Sequence, residues 1–286
     1  MMMTHMPFKR LLTALREGRT AFNPTVAVES AINDRLAAGR PVLCNLGCGT
    51  RYHPAWINID FHGDGHTVLP WDLRKGLPLP NAICDVVYSS HAIEHFDREG
   101  ARRFLAECHR VIKPGGILRL VAPDLEGIAK AYLQCLEAAQ RGEQGAAARY
   151  EWIVVELLDQ LVRHESGGEM LKLWCRHELP AEDYIAQRVG TEYWRSRKHC
   201  KGRSVSETAP TDVLAVGSFR LGGEVHQWMY DRYSLRQLLA NCGFVQVQTC
   251  AAAESSIEAF VEYCLDTERD GTTYKPDSFF MEARKP

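Results

Sequence analysis

The sequence has no CxxC pair, no lysine placed after a glycine-rich turn, and no apolar run long enough to span a bilayer. Each absence removes a class of protein. Without CxxC, paired-cysteine zinc sites and thioredoxin-type redox chemistry have no anchor, and ten cysteines in 286 residues fall well short of a disulfide scaffold. Cys44, Cys84 and Cys108 sit in apolar segments and read as reduced core thiols. Without the lysine, triphosphate binding has no charge partner. The opening "MMMTHMPFKRLL" lacks a signal-peptide core, so the expected compartment is the cytoplasm and no membrane span is expected. Charge of one sign is also missing. The 34 basic and 36 acidic residues leave a net charge of -2, which does not suit a nucleic-acid partner. No internal repeat or long low-complexity tract is present.

What is present suits one large domain with a substantial insertion, since 45% of the chain is hydrophobic. Residues 1–40 read as an N-terminal helical segment. Phe8, Leu11, Leu12 and Leu15 fall on one face of it, short enough to pack on its own domain rather than on a membrane. Residues 41–124 then alternate short apolar runs with connections, at 42–46, 56–59, 67–69, 85–88 and 117–122. Between the last two, Ala101, Phe104, Leu105, Cys108, Val111 and Ile112 recur at helical spacing, with Asp97 as the cap and "KPGG" as the stop. Buried strands in that rhythm predict an open, mostly parallel α/β sheet. Residues 125–223 break the rhythm and read as a helical insertion covering the site, loop-rich from 164 to 222. The core resumes over 224–286. Ser234 and Gln237 read as a capping box, Gly243 as a helix stop, and 244–249 and 278–283 as strands.

In such a sheet, ligands sit beyond the carboxyl ends of the strands. After the first strand comes "LGCGT", whose Gly47 and Gly49 let backbone approach a ligand closely. Asp60 ends the second strand and can accept two hydrogen bonds from ribose hydroxyls, and Asp72 follows the third, where it could accept an adenine amino group. Two acids with no phosphate-neutralising lysine suit a nucleoside without phosphates.

"LCNLGCGT", "INIDF", "WDLRKGLPLP", "CDVVYSSHAIEHF" and "VIKPGGILRLVAPDL" together resemble the class I S-adenosylmethionine-dependent methyltransferases. The tail "RDGTTYKPDSFFMEARKP" resembles a bacterial branch associated with polysaccharide and secondary-metabolite biosynthesis. The resemblance implies a Rossmann-like, seven-stranded, mostly parallel sheet with its last strand antiparallel, helices on both faces and the insertion above. It implies S-adenosylmethionine as cofactor, with Gly47, Cys48 and Gly49 at the amino-acid end, Asp60 at the ribose, Asp72 and Leu73 at the adenine, and Asn45, Phe61, Ser89, Ser90 and His91 as further cofactor-binding residues. This chain departs from the pattern at Thr50, where a third glycine is common, and in its very short first crossover.

Methyl transfer from a sulfonium is an in-line displacement in which the protein positions the nucleophile and excludes water. A hydroxyl acceptor also needs a base. His91 is the first candidate and Asp124 the second, each with the alternative of holding a loop or the cofactor. His226, among aromatic residues, is the third catalytic candidate, as an acceptor contact or a core histidine. His91, Glu94 and His95 share the spacing of a metal-binding helix face, but the preferred reading makes Glu94 and His95 structural. Cys175, His177, His199 and Cys200 lack zinc spacing, so no metal is expected. The basic stretch "RSRKHCKGR" reads as a solvated, mobile loop, with a clamp for an anionic small-molecule acceptor as its functional alternative. The expected function is methyl transfer to an O or N nucleophile of a small polar metabolite or glycan precursor. Protein or peptide methylation, and a non-catalytic S-adenosylmethionine-binding partner, are the alternatives.

Overall fold

The computed structural model describes residues 23–205 and 212–286, so the amphipathic face read over Phe8 to Leu15 lies outside the described residues. Helix α1 (Pro24–Ala37) starts where Asn23 Oδ1 accepts the Thr25 N–H at 3.1 Å, with Pro24 needing no donor partner. Strands β1 (Leu43–Leu46), β2 (Ile57–Asp60), β3 (Val68–Pro70), β4 (Cys84–Ser90) and β5 (Ile112–Pro123) follow, then β6 (Val245–Cys250) and β7 (Ser278–Arg284). They form one seven-stranded sheet in the order β3-β2-β1-β4-β5-β7-β6. All neighbours pair in parallel except β7, which runs antiparallel to both β5 and β6. The first five strands lie within three residues of the apolar runs that mark them, apart from the start of β5. Its "KPGG" segment stops helix α2 (Arg98–Val111) yet already belongs to the strand.

The two sheet faces are covered differently. Helices α1, α2 and α9 (Arg232–Asn241) pack one face through Val28, Ile32, Phe104, Leu105, Leu235 and Leu239. On the other, Trp56, Tyr88 and Ile117 pack against Ile257, Phe260 and Leu265 from the segment after β6. The crossover from β1 to β2 holds no helix, and the segment that covers this face has only the 3-10 turn Phe260–Tyr263. One buried arginine pins that segment down. Arg119 on β5 is 0% exposed and pairs with Asp266 and Glu282, each at 2.8 Å, while Tyr88 Oη donates to Asp266 at 2.6 Å. The register sets Tyr88, Arg119 and Glu282 in one row across β4, β5 and β7.

The insertion corrects the loop-rich reading of 164–222. It holds α3 (Leu125–Gln140), α4 (Ala146–Val162), α5 (Gly168–Cys175), α6 (Glu182–Val189), α7 (Thr191–Cys200) and α8 (Val213–Leu221). The later helices have at most ten residues each, too short for periodicity to show, and are stable by packing rather than propensity. Trp152, Trp174, Ile185 and Tyr193 form their shared core. The basic stretch is therefore largely helix α7 rather than a loop. Its Arg197 is buried and donates to the carbonyl oxygens of Trp174, Arg176 and His177. The capping box of α9 is also corrected. Asp231 and Ser234 form it, because the helix begins earlier than the Ser234–Gln237 pattern suggests.

Candidate functional site

The turn after β1 brings Gly47 and Gly49 to the carboxyl edge of the sheet, both at positive φ, +69° and +51°. A side chain at Gly47 would also start 2.8 Å from the Ala92 Cβ, so glycine is required there twice over. The Gly49 N–H donates to Asp60 Oδ2 at 2.8 Å, and the His62 N–H donates to Asp60 Oδ1 at 3.1 Å. The acid at the tip of β2 thus holds the turn at the tip of β1. A carboxylate has about four lone-pair positions, so two remain for a ligand.

A cavity of about 160 Å³ lies against this turn, walled by Asn45, residues 47–51, Tyr88, Ser90 and His91, and on the far side by Leu265, Tyr274 and Lys275. Asn45 Nδ2 donates to the Arg51 carbonyl and to Asn58 Oδ1, but among the described residues its Oδ1 is buried with no partner. Burial pushes the Cys48 thiol up to about 12, so it stays protonated. Leu73 lies close to Gly47, its Cδ1 3.8 Å from where a Gly47 side chain would start. Ser89 turns inward and donates to the Leu46 carbonyl at 2.8 Å.

Two sequence-read acids already have partners. Both oxygens of Asp72 accept from Arg74, at 2.8 and 3.1 Å, and that guanidinium holds the carboxyl below its usual range. Arg74 also lies 5.7 Å over the half-exposed Phe61 ring, so the three side chains form one cluster with Asp72 its least exposed member. Asp124 is clamped by Arg232 with two parallel hydrogen bonds at 2.8 and 2.9 Å. That bidentate, charge-assisted fork fixes the orientation of the Asp124 carboxylate and ties the end of β5 to the start of helix α9.

His91 has φ of +50°, a left-handed backbone that a non-glycine residue adopts at a cost. Its Nε2 lies 2.8 Å from Ser278 Oγ and its Nδ1 3.3 Å from Glu94 Oε1. Glu94 is 0% exposed. Burial raises its pKa, but the facing His91, His95 and His226 outweigh this and bring it down to about 2. His226 does not reach the cavity at the glycine turn. It is buried beside a second cavity of about 50 Å³, with Glu156, Glu192 and Asp277, and burial drives its imidazole down to about 3, hence neutral.

Several site residues escaped sequence reading. Tyr274 is flanked by Arg51 at 4.1 Å and Arg195 at 5.6 Å, and Lys275 pairs with Glu192 of helix α7 at 2.8 Å. The signal was there only as a shared tail motif. Asp277 is pushed up to about 6, first by burial, then by Glu156, with His91 and Lys275 opposing. Its proton is held more tightly in the folded chain than in the unfolded one, where the pKa is near 4. The cost of ionising it is therefore present above pH 6 and relieved as pH falls towards 4. Asp277→Asn is expected to stabilise the fold at pH 8 by at most about 3 kcal/mol, less whatever water screens, and by nothing near pH 4. Urea denaturation at both pH values checks this, and equal effects at both would refute it.

Residues 57–120 match a family model described as a methyltransferase domain. A curated protein of Mycolicibacterium smegmatis named "Probable S-adenosylmethionine-dependent methyltransferase" is 40% identical over 113 residues, which is 32% of this chain and 43% of that protein. The match thus spans less than half of that relative's length. Among solved structures, a methyltransferase of this cofactor class from Archaeoglobus fulgidus is 14% identical, covering 98% of this chain and 100% of its own, at a TM-score of 0.38. Another from Mesorhizobium loti is 16% identical over 91% and 98%, at 0.35. Neither of these two carries an argument about substrate. The matched segment runs across β2 to β5, and with an antiparallel β7 between β5 and β6 and a glycine turn tied to the acid of β2, this core is similar to class I S-adenosylmethionine-dependent methyltransferase domains. S-adenosylmethionine is the cofactor of that class. Among the described residues, no helix is long and apolar enough to cross a membrane.

Proposed function

We propose that this chain transfers the methyl group of S-adenosylmethionine to an oxygen or nitrogen nucleophile of a small polar acceptor, a metabolite or glycan precursor. The observation that carries this reading is the clamp from Asp60 to the Gly49 N–H beside a cavity whose wall holds an unpartnered Asn45 Oδ1. These residues fit the cofactor. Asn45 Oδ1 suits the ammonium of its amino-acid end, the bare backbone at Gly47 and Gly49 suits close approach, and the free lone pairs of Asp60 suit the ribose. The bound cofactor supplies an already activated methyl group.

The chain's own residues supply the rest. Tyr274 and the Lys275–Glu192 pair close the far wall and exclude water. His91, oriented between Glu94 and Ser278, takes the acceptor proton after its Nε2 exchanges Ser278 for the substrate. The insertion reaches this wall through Glu192 and Arg195, and we assign it the choice of acceptor, with Arg195 suited to an anionic one.

Two measurements test the reading. Calorimetry should show S-adenosylhomocysteine binding, and a panel of hydroxyl and amine metabolites should contain at least one that drives its release from S-adenosylmethionine. Tight binding with no turnover across the panel would favour a non-catalytic binder. With a hydroxyl acceptor, His91→Asn should lower kcat by about 10²- to 10⁴-fold with product-cofactor affinity changed only a few-fold. An unchanged kcat would remove His91 as the base.

A further inference from the structure

Glu94 sits on the 3-10 turn Ile93–His95 just beyond β4, and among the described residues neither of its buried carboxylate oxygens has a hydrogen-bond partner. An uncompensated buried carboxylate costs several kcal/mol, so the position calls for a cation. His91 is the nearest polar neighbour. Its Nδ1 lies 3.3 Å from Oε1 but outside hydrogen-bonding geometry, and its other nitrogen faces Ser278. One imidazole cannot serve both oxygens.

Two further donors converge on Glu94 from opposite parts of the chain. His95 follows it directly, and its Nδ1 is also buried without a partner among the described residues. His226 arrives where the chain returns from the insertion. Its own N–H is held by the Gln160 carbonyl at 2.9 Å, while the N–H groups of Gln227 and Trp228 donate to the Glu94 carbonyl at 2.7 and 3.2 Å. The backbone thus presents both histidines to one carboxylate. The His95 and His226 rings meet edge to face with centroids 4.8 Å apart, and His226 Nε2 lies 4.0 Å from Glu94 Oε1. One ligand atom from each of the three residues falls within 4.8 Å of the other two.

We propose that Glu94, His95 and His226 bind one divalent transition-metal ion of the zinc or cobalt type. Two imidazoles and a carboxylate are the donor set such ions take, whereas magnesium favours an all-oxygen octahedron. Bond lengths near 2.0–2.1 Å in a tetrahedron put ligand atoms about 3.3 Å apart, so atoms now within 4.8 Å of one another need to close by up to about 1.5 Å. Three protein ligands leave the fourth position to water or to a substrate atom. His95 also lines a cavity of about 600 Å³ between helices α2 and α8, and His226 the smaller cavity of about 50 Å³. An ion there would tie the turn after β4 to the strand of chain that returns from the insertion. The site stands whether or not the chain transfers methyl groups.

The test is a metal titration of the full chain after chelation, under reducing conditions. Co²⁺ and Zn²⁺ should each bind at about one equivalent, Co²⁺ should show the visible absorption of a nitrogen–oxygen tetrahedral site, and Zn²⁺ but not Mg²⁺ should raise Tm. Glu94→Gln and His226→Asn should each weaken Co²⁺ at least about 10-fold. Should either fail to fold, His95→Gln carries the comparison. Absence of saturable Co²⁺ binding, full retention of binding in the variants, or a sulfur-to-cobalt charge-transfer band, which would place the ion on Cys175 or Cys200, overturns the proposal.

Discussion

Asp60→Ala is expected to weaken S-adenosylhomocysteine binding by about 10²- to 10⁴-fold while leaving the chain folded. Two effects add. The ribose loses two charge-assisted hydrogen bonds, each worth about 1.5–3 kcal/mol. The glycine turn loses its tether as well, because the Gly49 N–H that bonds Asp60 Oδ2 at 2.8 Å is left to water. Asp60 lies at a half-exposed strand tip, so its removal opens no core cavity and stability should change by about 1 kcal/mol or less. Asp60→Asn separates the two contributions. Its amide oxygen can still accept the Gly49 N–H, but the charge is gone, so affinity should fall to an intermediate value. Isothermal calorimetry reads both variants, and unchanged affinity in Asp60→Ala would remove the ribose assignment.

Arg119→Leu should be the most destabilising single change, by about 3–5 kcal/mol in urea unfolding. A folded domain has only about 5–15 kcal/mol in hand, so this is a large share. The leucine itself is tolerable on β5. The harm comes from Asp266 and Glu282, 3% and 2% exposed, which lose their common counter-ion. Burial already raises the Asp266 pKa, and without Arg119 it rises further. Protonation then relieves the defect, so the difference from the parent should shrink as pH falls towards 4. Arg119→Lys keeps the charge but loses the fork that reaches Asp266, Glu282 and the carbonyls of residues 251, 252 and 254, and should recover only part of the loss. A pH-independent loss would mean the defect is packing rather than charge.

The core strands and the tip residues could be read from sequence because their cause is local. A strand buried on both faces reads as a near-continuous apolar run, and β1 is buried at every position, with Asn45 its one polar residue. The same locality brought Gly47, Gly49 and Asp60 into view, since a turn and the adjacent strand end are separated by few residues. The insertion resisted reading for the opposite reason. Its short helices owe their stability to aromatic residues such as Trp152 and Trp174, stacked at 6.2 Å from different helices. No window of ten residues contains that information.

Composition, the strand rhythm and the order of glycine turn and acids were enough to establish the class of sheet and to put the glycine turn and Asp60 at its carboxyl edge. Tertiary structure alone decided which polar groups are free. Asp124 and Arg232 are 108 residues apart, yet they form a bidentate ion pair. Glu94 and His226 come together only when the chain returns from the insertion. The physical reason is that burial patterns repeat along the chain, whereas the partner of a charge is chosen in space.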